Sequence, residues 1–135
     1  MSQEKHSHLP NASELLRAVA DYLEQGLLPD IEGRHRYNTR VSINALRILQ
    51  RELTQKDDEA LRQRIQKLIA SDDSDDEALL IKLAAQIRDG SLSEENPKLL
   101  AVLRQISLNR LAVDNPRYSS YLAATAGRQA NISCE

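Results

Sequence analysis

A chain of 135 residues, 41% of them hydrophobic and 28% charged, is sized for one domain and can bury a core without disulfide or metal staples. It has no Phe, no Trp and four Tyr, so Leu, Ile, Val and Ala must do the packing. A net charge of −2 gives no global field for nucleic acid, the single cysteine Cys134 excludes an intrachain disulfide, and no run reaches the roughly 18 apolar residues of a membrane span. No secretory signal opens the chain, so the expectation is a cytoplasmic protein with neither nucleic-acid nor membrane partner, and the sequons at Asn11 and Asn131 go unused.

Residues 1–10 are polar and irregular and read as a flexible lead-in. Asn11-Ala12-Ser13-Glu14 has the spacing of a capping box, which starts a first helix. Its apolar positions, Leu15, Leu16, Val19, Tyr22, Leu23 and Leu27, recur at three- and four-residue steps until Gly26 and Pro29 end the run. A second helix is expected from about Arg34 to Leu53. Tyr37, Val41, Ala45, Ile48 and Leu49 form its main stripe, while Ile43, Leu46 and Leu53 point elsewhere, so a central position contacted from several sides is expected. A third helix runs from about Asp57 to Ala70 on Leu61, Ile65, Leu68 and Ile69, with acidic residues at its start to suit the helix dipole.

After the acidic loop Ser71 to Asp76, a fourth helix carries Leu79, Leu80, Leu83 and Ile87 and stops at Gly90. A fifth carries Leu99, Leu103, Ile106 and Leu111, with Pro97 in its first turn, and Asp114-Asn115-Pro116 breaks it. The expected architecture is all-α, a single-domain bundle of about five helices over residues 11–118. Residues 119–135 form a tail with at most a short helix.

Several short stretches resemble an uncharacterised bacterial all-helical domain family. They include Leu28-Pro29-Asp30-Ile31-Glu32-Gly33-Arg34, Arg40-Val41, Asn44-Ala45-Leu46, Arg51-Glu52-Leu53, Ile87-Arg88-Asp89-Gly90 and, most specifically, Ala112-Val113-Asp114-Asn115-Pro116-Arg117-Tyr118. The resemblance runs to Tyr118 and carries over no catalytic residue. Members are often encoded beside acyl-CoA dehydrogenases and aminoglycoside-phosphotransferase-like kinases, so the resemblance implies an accessory role in acyl-CoA metabolism with a partner of one of those kinds.

No catalytic constellation is visible. His6 and His8 lie in the lead-in, and His35 has no His or carboxylate three or four residues on, so neither a metal nor a cofactor is expected. Cys134 lacks the cationic surroundings that make a thiolate. The second helix sets Arg36, Arg40, Arg47 and Arg51 on one side with Asn44. That ridge is either a track for phosphates or acidic partners, or a solvated face paired with the acidic helix starts near Asp57–Glu59 or Asp72–Glu77. Polar residues on apolar faces give the sharpest expectation. Glu52 and Arg110 would pair across two helices, and Arg34, Arg40, Asn44, Asp114, Asn115, Arg117 and Tyr118 would join them around a small anion or CoA-type ligand near the Asp114–Tyr118 turn. The competing reading of the same residues is a satisfied structural network. Function therefore divides between a non-enzymatic accessory or protein-interaction domain, plausibly self-associating, and a ligand-binding helical domain.

Overall fold

A computed structural model describes residues 9–129, with side chains through residue 126. The positions of His6, His8, Asn131 and Cys134 lie outside that range. Every regular element among the described residues is a helix. They are α1 (Ala12–Tyr22), continued by a π segment (Leu23–Leu27) and a 3-10 turn (Leu28–Asp30), then α2 (Gly33–Thr54), α3 (Glu59–Ile69), α4 (Asp76–Arg88), α5 (Pro97–Asp114) and α6 (Ser119–Gln129). The chain divides into two compact units at Gln55/Lys56.

Unit 1 is a hairpin of α1 on α2. Asn11 and Glu14 form the expected capping box, the Asn11 side chain accepting the Glu14 N–H at 3.0 Å and the Glu14 carboxylate accepting the Asn11 N–H at 2.8 Å. The reversal has its own fastening. Gly33 takes φ +59, a left-handed value that a side chain would strain. The Arg36 guanidinium then donates to the carbonyls of Leu28 at 2.9 Å and Ile31 at 3.3 Å, which ties the turn to the first coil of α2. Much of the Leu28-to-Arg34 pattern is therefore turn chemistry. Across the hairpin, Arg47 of α2 donates to Asp21 at 2.6 Å and Glu24 at 3.0 Å, and both carboxylates raise its pKa further above the usual value.

Unit 2 holds the hydrophobic core cluster: Ile65 and Ile69 from α3, Leu79 and Leu83 from α4, Leu92 from the link, Leu99 and Val102 from α5. The starts of α3, α4 and α5 are each capped by a side chain. Asp58 accepts the Leu61 N–H, Asp75 the Ala78 N–H, and Asn96 the Lys98 N–H with Pro97 beside it. Gly90 follows α4 at φ +83, whereas Ala70 ends α3 at φ +52, a left-handed position without a glycine. The acidic loop is tied down. Arg62 bridges α3 to α4 through Asp76 at 2.6 Å and also meets Glu59, while Gln66 donates to the Asp73 carbonyl and Lys82 reaches Asp73 at 3.2 Å. α6 packs on α5.

Candidate functional site

The two units differ in how much apolar surface they cover. Within the hairpin only Ala20 and Ile43 are buried hydrophobics, yet Leu15, Val19, Tyr22, Tyr37, Val41, Leu49 and Leu53 are each between 48% and 69% exposed. The face of α2 that meets α1 is therefore the one built on Ile43, and of the stripe expected to be its core Tyr37, Val41, Ala45 and Leu49 are open while Ile48 is half-buried. This corrects the sequence reading. Apolar residues surround most of this helix, so their periodicity alone does not select which arc meets the neighbour.

Helical phase shows how the open residues lie. At about 100° per residue, Leu15, Val19 and Tyr22 sit roughly 100° to 160° round α1 from Ala20, with Tyr22 the furthest out, and Leu49 and Leu53 sit roughly 80° to 120° round α2 from Ile43, in the same sense. In antiparallel helices, offsets of one sense bring both sets to the same side of the hairpin. The Arg47 pairing fixes the register, so Val19 lies near the level of Leu49 and Leu15 near that of Leu53. The result is a two-helix apolar groove, with Ala18, Ser42 and Gln50 beside it and the exposed Glu52 at its outer edge on α2. The ring of Tyr22 lies against Gly26, where an added Cβ would stand 3.1 Å from it.

The basic ridge of α2 is partly consumed inside the hairpin. Arg36 holds the turn and Arg47 pairs with α1, on Asp21 and Glu24 rather than on the acidic helix starts of residues 57–59 or 72–77. Arg40 and Asn44 are exposed, as are Arg34 and Glu52. Of the candidate ligand residues, those four belong to unit 1, and Arg110, Asp114, Asn115, Arg117 and Tyr118 belong to unit 2.

Arg110 is the second correction. Its side chain is 65% exposed and donates to Asp114 one turn on at 2.8 Å, so it is not the buried guanidinium the Leu99, Leu103, Ile106 stripe implied. Its neighbour Asn109 reaches across to α3. It is half-buried, accepts from Gln105 at 2.7 Å and donates to Asp58, the cap of α3, at 2.8 Å. A polar network between α3 and α5 thus centres one residue before Arg110. Asn115 caps the end of α5 and its carbonyl accepts the Tyr118 N–H, which makes Asp114–Tyr118 a tight turn with Arg117 and Tyr118 exposed.

Unit 2 also has a cleft of about 620 Å³ at the opposite end of α5, roughly 25 Å along the helix from that turn. Arg64, Lys67 and Leu68 line it from α3, and Asn96, Pro97, Lys98, Ala101 and Val102 from the start of α5. Three cations border an apolar floor with no carboxylate in the lining. Sequence reasoning missed this trio. The signal was available in Arg64, Lys67 and Leu68, which share one face of α3, but nothing in the sequence sets Lys98 opposite them.

Among the described residues no group of three or more His, Cys, Asp or Glu could hold a metal, and no helix is long and apolar enough to cross a membrane. Residues 29–118, two thirds of the chain, match the family described as Domain of unknown function (DUF6285). The chain belongs to that family. The match takes in the turn before α2 and runs to the Asp114–Tyr118 turn, so in this DUF6285 member α1 and α6 flank the matched span. Neither a curated protein nor a solved structure matches the chain.

Proposed function

We propose that this DUF6285 chain is a non-enzymatic protein-interaction domain whose contact surface is the open apolar side of the unit 1 hairpin. One observation carries the reading. Five large apolar side chains, Leu15, Val19, Tyr22, Leu49 and Leu53, stand 48% to 66% open on one side of two helices that bury only Ala20 and Ile43, and exposed apolar patches of several hundred Å² mark interaction sites. The resemblance adds what the surface alone does not, an accessory role in the bacterial cytoplasm beside an acyl-CoA dehydrogenase or an aminoglycoside-phosphotransferase-like kinase. Binding of the purified chain to those neighbouring proteins, measured by biolayer interferometry, tests it. Val19→Asp and Leu49→Asp should weaken binding at least tenfold, and Leu80→Asp in unit 2 should not. Equal binding by all three variants would overturn the reading.

The cleft between α3 and α5 supports a second reading, a small-ligand domain for an anion with an aliphatic body. Arg64, Lys67 and Lys98 gather there with no carboxylate in the cleft's lining, whereas Arg62, Lys82 and Arg110 of the same unit are ion-paired. This moves the anion site away from the Asp114–Tyr118 turn. Octyl phosphate titrated into ¹⁵N-labelled protein should shift the amide signals of residues 64–68 and 98–102, and Lys98→Glu should abolish the shift. Absence of movement at those amides at millimolar ligand would remove this reading.

A further inference from the structure

We infer that the occupant of the hairpin groove is a second copy of the chain, two unit 1 hairpins pairing face to face about a twofold axis as a four-helix bundle. The inference rests on the interaction reading above and names its partner. Three observations lead to it.

The first is the imbalance of the hairpin itself. A helix with an apolar arc must bury it against another element, and two helices cover only one arc each. Here α1 uses the Ala20 side and α2 the Ile43 side, and each has a second apolar arc left over on the same side of the pair.

The second is spacing. Leu15, Val19 and Tyr22 follow one another at steps of four and three, and Leu49 and Leu53 at a step of four, which is the knob spacing of a bundle seam. A groove with two parallel rows of such knobs is filled by another pair of helices with the same rows. A twofold contact supplies that pair automatically, because each hairpin presents to the other the surface it receives.

The third is area and charge. Leu15, Val19, Tyr22, Leu49 and Leu53 leave on the order of 500 Å² open in each chain, so pairing can remove about 1,000 Å², the least that a specific interface needs. Ala18, Ser42 and Gln50 beside the groove carry no charge and Glu52 stands at its outer edge, so most of the surface a copy meets is uncharged. Tyr37 and Val41 lie further round α2 and stay open after pairing, which leaves the assembled dimer a surface for a different protein.

Sedimentation velocity on the full chain from 1 to 200 µM tests this, together with hydrogen exchange at both ends of the range. The expected result is a species of twice the chain mass that dominates at high concentration. Val19→Asp and Leu49→Asp should each shift dimerisation to at least tenfold higher concentration, with the helical circular dichroism retained. Should either variant unfold, the wild-type exchange data decide: amides of residues 15–22 and 46–53 should gain protection as concentration rises, and those of residues 79–83 should not. A monomer at 200 µM overturns the inference, as does a dimer that both variants preserve. If the monomer leaves the groove amides unprotected until another protein is added, the interaction reading survives without self-pairing. Groove amides protected at every concentration, with the chain alone and monomeric, would defeat both.

Discussion

Leu79 and Leu80 are neighbours on α4, one 1% exposed inside the unit 2 core and the other 42% exposed, so the same truncation at each separates burial from composition. Leu79→Ala removes a side chain packed among Ile65, Ile69, Leu83 and Leu99 and leaves a cavity that a helix fixed at both ends by caps can close only in part. Substitutions of this kind cost about 3 to 4 kcal/mol. In a unit of this size that corresponds to a fall of about 15–25 °C in the unfolding midpoint, with an unchanged slope in urea. Leu80→Ala should cost about 1 kcal/mol or less, since little apolar area leaves water and Ala favours the helix. Thermal and urea unfolding followed at 222 nm measures both. Losses of equal size, or a larger loss at Leu80, would refute the phase of α4 and with it the core as described.

Replacing Arg47 by Met should destabilise the hairpin by about 1 kcal/mol, because the ion pairs to Asp21 and Glu24 are only part-buried, and a double-mutant cycle with Glu24→Gln in low and high salt should show the coupling fading as salt rises. Ala70→Gly should raise unit 2 stability by about 1 kcal/mol, read as a higher urea midpoint, since φ +52 suits glycine and strains alanine. The carboxyls of Asp76 and Asp73 sit below the ordinary value of 3.8, Asp76 through the hydrogen bond from Arg62 and Asp73 through the Asp75 N–H and then Lys82. Lowered folded-state values mean stability that is present above pH 3.8 and is lost as pH falls through the lower values. The urea midpoint should therefore drop below about pH 4, and it should drop less steeply in Asp76→Asn.

Helix positions were legible because their ends are written in short, local chemistry. The Asn11–Glu14 box, the Asp58 and Asp75 caps, Pro97, Gly90 and the Asp114-Asn115-Pro116 break each act within four residues, and each stands where the sequence indicates. Facing was less legible. On α2, Ile43, Leu46, Leu49 and Leu53 all compete to be the inner side, and the choice is made by which arc the partner helix covers, something the periodicity of α2 does not carry. On α5 the apolar stripe predicts the correct side at Leu99, Leu103 and Ile106 but misses the buried Val102 and places Arg110, which is exposed, on the inner side. The division at Gln55/Lys56 has no Pro, Gly or low-complexity mark, so composition does not announce it. For the same reason the cleft was hidden, since its cations come from two helices separated by the whole of α4.

The π segment at Leu23–Leu27 has a consequence for how this chain tolerates change in length. A π turn accommodates one residue more than an α turn while the helix on either side keeps its course, so it is where an inserted residue can be stored. Losing one residue there would return the turn to ordinary winding and leave Leu15, Val19 and Tyr22 pointing where they point now. Losing one between Ala12 and Tyr22 would rotate every preceding position by about 100° and turn part of that row away from Leu49 and Leu53. Insertions and deletions among DUF6285 chains that keep this hairpin should therefore collect in the five residues before the reversal and be rare in the eleven before them.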